Sequence, residues 1–224
     1  MTATIEVGPE GNSRTFNVHR DLLSFYSGYF RHIFNSGIVE PSGGIIRLYS
    51  EEPDVFESFV KWLYTRRAHE EQITEHNDYQ YYMFFVKLWI LAARHDVPLL
   101  MNEMVDSLHQ SVVTMWSLPR EETIKEIYVN TPAGSILRRM VVDMFTSIGG
   151  PAMPDILKDH RDESISDFLL DLVKDYIADD ERKPALGQKE YKALDICASF
   201  HVHDEEGVKC TKKRPRRSSD EMED

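Results

Sequence analysis

The sequence predicts an α+β unit, a small three-stranded sheet capped by helices, followed by an α-helical extension. Two short β-prone runs, Ile5 to Val7 and Thr15 to Val18, flank Gly8-Pro-Glu-Gly-Asn-Ser13, and a turn cluster between such runs reads as a hairpin. A third short run, Ile45 to Leu48, follows the loop Pro41-Ser-Gly-Gly44. From Pro53 to Ile177, apart from a polar, charged stretch at Arg66 to Asp78, apolar residues recur in several segments at three- and four-residue steps, the helical period.

Between the hairpin and the third strand, Leu22, Leu23, Tyr26, Phe30, Ile33 and Phe34 keep that step, with Ser27-Gly28 as a break between two short helices. Pro53 suits a first helical turn, and Phe56, Phe59, Val60, Leu63 and Tyr64 follow on one face. Tyr79 to His95 is apolar on nearly every side, the mark of a central helix wrapped by others, and Asp96-Val-Pro98 stops it. Leu99 to Val113, Glu121 to Tyr128, Ile136 to Ile148 and Ile165 to Ile177 are helical by pattern. Ser135 is placed to cap the third of these, and the fourth carries Ile165, Phe168, Leu169, Leu172, Val173, Tyr176 and Ile177 on one stripe. Beyond about Asp179 the chain turns polar, and after Cys210 its composition is that of a disordered tail. The expected organisation is a first domain at 1–113, a helical extension at 114–180, a polar segment at 181–211 and a basic and acidic tail at 212–224.

Composition narrows the class of function. At 224 residues, 42% hydrophobic and 29% charged, the chain can build a core without staples. Its two cysteines and lack of an N-glycosylation acceptor point to a reducing compartment, nucleus or cytoplasm. The N-terminus has neither the basic start nor the apolar run of a secretory signal. The apolar stretch from Tyr81 to Ala93 is broken by Lys87 and is shorter than the roughly 20 residues of a membrane span. Net charge is −12, and residues 212–224, with five basic and four acidic side chains, carry +1, leaving −13 on the rest. So acidic a body repels phosphate backbones, against a general nucleic-acid binder. Gly-x-Ser-x-Gly, a Gly-rich phosphate loop and His-Glu-x-x-His are all absent, and acid pairs such as Glu70-Glu71 and Glu121-Glu122 read as solvated faces. Nothing in the chain recommends an enzyme.

Three segments carry a family resemblance. Phe16-x-Val18-His19-Arg20-x-Leu22-Leu23 with Ser27-x-Tyr29-Phe30-x-x-Ile33-Phe34, then Phe56-x-x-Phe59-x-x-Trp62-Leu63-Tyr64-Thr65, then Leu91-Ala92-Ala93-x-His95-Asp96-Val97-x-x-Leu100 resemble the BTB/POZ domain over about residues 4 to 113. Arg66 stands where the family usually closes the second segment with Gly. The resemblance implies function by surface. Such domains pair with themselves as homodimers or with protein partners, and many hold a cullin-type ubiquitin-ligase scaffold. The family does so with a hydrophobic-x-Glu triplet, at whose place Ile38-Val39-Glu40 stands, with Tyr29, Phe34 and Tyr64 near the same surface. The same triplet also reads as a solvated loop. Strongly dimerising members carry a helix and strand before the hairpin, whereas this sequence starts almost at the hairpin. Repressor-type members pair a first-strand Asp with the Arg matching Arg20, and Thr2 takes the place of that Asp. By the ordinary behaviour of its residue type, His19 is expected to be hydrogen-bonded and partly buried. The segment from about Leu118 to Ile148 resembles the extension of short fungal-type BTB proteins.

Two further constellations lie near the C-terminus. Cys197, His201, His203 and Cys210 supply the ligand types of a structural zinc site at an unusual spacing, and the same stretch reads as a charged loop needing no cofactor. Lys212, Lys213, Arg214, Arg216 and Arg217 match a nuclear-import signal, a solvated tail or a local phosphate-binding patch. The reading that results is a non-enzymatic protein–protein interaction module, an adaptor for a cullin-type ligase. The alternative is a nuclear oligomerisation or transcription-associated scaffold addressed by its basic tail.

Overall fold

The computed structural model describes residues 1–36, 44–68, 78–148, 163–178 and 185–203. Strands β1 (Thr2–Val7) and β2 (Arg14–His19) form the expected hairpin, each longer than its apolar run because paired backbone extends to polar flanks. β3 (Ile45–Leu48) adds parallel to the other edge of β1, giving the order β2-β1-β3. Ile5 faces Phe16 on one side and Ile46 on the other. The two-residue period then puts Ala3, Ile5 and Val7 into the core beside Val18, Ile46 and Leu48.

Helices α1 (Arg20–Tyr26) and α2 (Gly28–Asn35) break at Ser27. The buried Ser27 hydroxyl accepts from the Phe30 N–H at 3.1 Å, capping α2, and donates to the His95 carbonyl at 2.6 Å. α3 (Pro53–Thr65) starts on its proline and ends at Arg66, which adopts φ 56°. A left-handed C-cap normally selects Gly. Arg66 holds it with its guanidinium 3.8 Å from the Trp62 ring centre and 4.7 Å from that of Tyr26.

α4 (Asp78–Arg94) is the central helix, with Tyr82, Phe85, Val86, Leu88, Trp89, Leu91 and Ala92 buried around its circumference. Left-handed Asp96 and Pro98 turn the chain into α5 (Pro98–Met115), which ends on left-handed Trp116. α6 (Glu121–Asn130), α7 (Ile136–Ile148) and α8 (Glu163–Ala178) follow. Glu121 and Glu122 sit in the first turn of α6, where acids favour the helix dipole. Ser135 caps as expected, accepting from the Arg138 N–H at 3.3 Å.

One continuous core runs from Ala3 to Phe200, so the helices beyond residue 113 pack on the N-terminal unit. A polar seam supports the junction, with Arg94 3.5 Å from Glu51 and its guanidinium donating to the Asn130 amide oxygen at 2.7 Å. Arg138, itself buried, donates to the carbonyls of Tyr128 and Thr131 and so closes the C-terminal end of α6 against α7.

Two expectations need correction. The apolar stripe of α8 is enclosed only as far as Leu172: Ile165, Phe168 and Leu172 are buried, while Val173, Tyr176 and Ile177 are exposed. The polar segment also contains two short helices, α9 (Gln188–Lys192) and α10 (Ile196–Phe200), anchored by buried Tyr191, Ile196 and Phe200. Three apolar residues at irregular spacing leave no periodic trace, yet each finds a neighbouring helix.

Candidate functional site

Of the five candidate partner-binding residues, Ile38 and Glu40 lie outside the described residues. The other three are linked. Tyr29, in the first turn of α2, stacks on the buried His95 ring at 4.9 Å, and burial, assisted by the Glu51 charge, pushes its phenol pKa up. Phe30 follows, edge-on to both Tyr29 and His95, and stacks with Phe34 at 6.2 Å. The Arg20 guanidinium lies 4.4 Å from the Phe34 ring centre. Next to Arg20, His19 donates its backbone N–H to the Tyr64 hydroxyl at 3.1 Å, and its Nδ1 is 2.7 Å from the same oxygen.

Tyr64 is thereby held by two bonds at its tip while 48% of it stays exposed, unlike Phe56, Phe59 and Trp62 on the same helix. Fixed polar tip and open ring face make it a pre-ordered aromatic contact. His19 is hydrogen-bonded as expected but exposed rather than partly buried, because it lies at the outer edge of the hairpin. Thr2 pairs with His19 across the strands, adjacent to Arg20, and brings no carboxylate there. Arg20 covers Phe34 instead.

His95 escaped functional notice in the sequence. Its ring is 4% exposed, both ring nitrogens are without hydrogen-bond partners among the described residues, and burial pushes its pKa down to about 4. A neutral imidazole packed as an aromatic needs the flanking Tyr29 and Phe30, which only the fold brings to it.

The candidate zinc ligands are partly assembled. Cys197 Sγ lies 3.9 Å from His203 Nε2, which is also 3.2 Å from the Cys197 carbonyl oxygen. His201 turns elsewhere, its Nε2 3.0 Å from Asp106 Oδ1. Cys210 lies outside the described residues, as do the basic residues Lys212, Lys213, Arg214, Arg216 and Arg217. Among the described residues no three His, Cys, Asp or Glu side chains gather around one point. Two donors at nearly the separation of neighbouring tetrahedral ligands fit half of a zinc site.

Between α7, α8 and α10 an open cleft of about 710 Å³ is lined by Arg139, Asp143, Lys174, Asp175 and Phe200. Burial, then the Asp175 charge, raises the Asp143 carboxyl to about 6. The lining mixes both signs of charge and so favours neither sign of ligand. Among the described residues no helix is long and apolar enough to cross a membrane.

The chain has no match among curated proteins. Residues 1–97 match the family model described as BTB/POZ domain. Together with the mixed three-stranded sheet, the paired short helices α1 and α2, and α3 and α4 behind them, this match gives residues 1–97 the fold of a BTB/POZ domain, a module of protein–protein interaction.

Proposed function

We propose that the protein is a non-enzymatic adaptor whose BTB/POZ domain holds a cullin-type ubiquitin-ligase scaffold. The observation that carries the reading is Tyr64, exposed and pinned by His19 on the contact chain that runs through Arg20 to Phe34, the last aromatic before the triplet Ile38-Val39-Glu40. Ile38 would insert as the apolar anchor and Glu40 would pair, with the Tyr64 and Phe34 rings supplying flat apolar area around them. Partner choice then follows from surface shape, with no cofactor chemistry of its own.

The test is capture of a purified cullin N-terminal domain by the full chain. Ile38→Asp with Glu40→Ala should abolish capture, and Tyr64→Ala should weaken it about 10-fold, the loss expected for truncating an interface aromatic. Unchanged capture by the double variant, at an unchanged urea midpoint, removes the reading.

The basic run Lys212 to Arg217 supports a second reading, a nuclear oligomerisation or transcription-associated scaffold with that tail as address. A fluorescent reporter fused to residues 207–224 should enter the nucleus, and a reporter that stays in the cytoplasm ends this second reading. The proximity of Cys197 Sγ to His203 Nε2 favours a structural zinc that Cys210 would complete. One equivalent of zinc retained through dialysis, and lost in Cys197→Ser, is the expected result.

A further inference from the structure

Residues 185–203 run back along one stripe of α5. The Gln188 side chain donates to the Val113 carbonyl at 2.6 Å, and His109 Nε2 is 3.0 Å from the Tyr191 carbonyl oxygen. His201 meets Asp106 at 3.0 Å. Asn102 donates to the Val202 carbonyl at 2.9 Å and accepts from the Val202 N–H at 2.7 Å. The partners on α5 are residues 102, 106, 109 and 113, the four- and three-residue steps of a single helix face. They descend as the segment ascends, so the segment lies antiparallel to the helix.

Asn102 is the informative residue. It is 6% exposed, and both ends of its amide are satisfied by the main chain of one residue. A side-chain amide paired with a peptide N–H and C=O grips an extended backbone as a β-ladder does, whatever side chain that backbone carries. Selectivity is supplied elsewhere, by Tyr191, packed 5.0 Å from His109 and 6.3 Å from Trp116, and by Ile196 and Phe200. Between these plugs the side chains are mostly exposed. A segment held by three buried apolar plugs, the half-buried Leu186 and a row of hydrogen bonds has far less apolar burial than the core beneath it, and so belongs to the part of a structure that opens ahead of that core.

We propose that this stripe of α5 is a peptide-acceptor groove, filled in cis by residues 185–203, and that in trans its occupant is the same segment of a second copy, giving an exchanged dimer. The chain's own segment matches the hooks and pockets of the groove, and exchange of an identical element preserves every one of those contacts. This mode of association uses neither the hairpin nor the Tyr64 surface, so it stands independently of the cullin reading.

A fluorescent synthetic peptide of residues 185–203 tests the groove by anisotropy. The full chain carrying Tyr191→Ala and Phe200→Ala, with its own segment loosened, should bind the peptide at least 10-fold more tightly than the unaltered chain. Adding Asn102→Leu should reverse that gain. Equal binding to all three chains, or to none, overturns the proposal. So does equal binding of a peptide with Tyr191, Ile196 and Phe200 kept but the remaining residues reordered, which would mark a generic apolar groove. The unaltered chain supplies a measurement free of folding defects. Its dimer fraction by light scattering should rise with concentration and fall when excess peptide is added. A monomer at every concentration, or a dimer indifferent to the peptide, refutes the exchange.

Discussion

Replacing His95 with glutamine should change how stability depends on pH. Burial holds the native imidazole near 4, against an ordinary value of 6.5, and the nearby Arg94 charge pushes in the same direction. As pH falls below 6.5 the unfolded chain takes up a proton that the native state refuses. The stability contributed by neutral His95 is complete above pH 6.5 and drains away towards pH 4. With about 1.4 kcal/mol for each pH unit that separates the native from the unfolded pKa, the loss is on the order of 3 kcal/mol. Asp143 works the opposite way. Its carboxyl, raised to about 6 from 3.8, binds a proton in the native state before the unfolded one does, so stability rises as pH falls through that window. The amount is again about 3 kcal/mol. Glu51, raised by burial, adds in the Asp143 direction.

The two contributions nearly cancel in the unaltered protein. His95→Gln should therefore gain stability relative to it by on the order of 2 kcal/mol between pH 7 and pH 4.5, and Asp143→Asn should lose a similar amount. Urea unfolding of the three proteins at pH 7, 5.5 and 4.5 measures this, and the slope with pH is the readout, so an overall cost of either substitution does not matter. Three parallel profiles would refute the reasoning.

Other outcomes follow from packing. Phe168→Ala should cost about 4 kcal/mol by emptying the space between α6 and α7, whereas Ile177→Ala, 72% exposed on the same helix, should stay within about 0.5 kcal/mol. Urea midpoints separate the two by a wide margin. Arg138→Leu leaves the Tyr128 and Thr131 carbonyls without their donor and should cost on the order of 3 kcal/mol, also read by urea. Arg66→Gly relieves a left-handed backbone worth roughly 1 kcal/mol but gives up stacking on Trp62 and Tyr26 of about the same size, so it should be close to neutral. Arg66→Ala keeps the strain without the stacking and should unfold at a clearly lower temperature.

The sequence by itself determined the architecture of the N-terminal half. A hairpin needs a turn cluster between β-prone runs, and an amphipathic helix needs its period, both local properties that the residues from Ile5 to Tyr64 display. The same local logic located Ser27, Ser135 and the all-round apolar α4. By period Tyr64 was one more residue of the α3 stripe, and only the family resemblance put it near the partner surface. Tertiary structure set it apart, because His19 arrives from β2 to hold the hydroxyl while the ring faces solvent. His95 took its neutral, aromatic role from Tyr29 and Phe30. The segment 185–203 is held in place by distant partners, Asn102 and His109 of α5 among them. The α8 stripe shows the converse: a period promises an apolar face, but burial requires a partner, and the residues of the stripe beyond Leu172 stay exposed. Periodicity is written along the chain, whereas which face is covered, and by what, depends on residues far apart in sequence meeting in space.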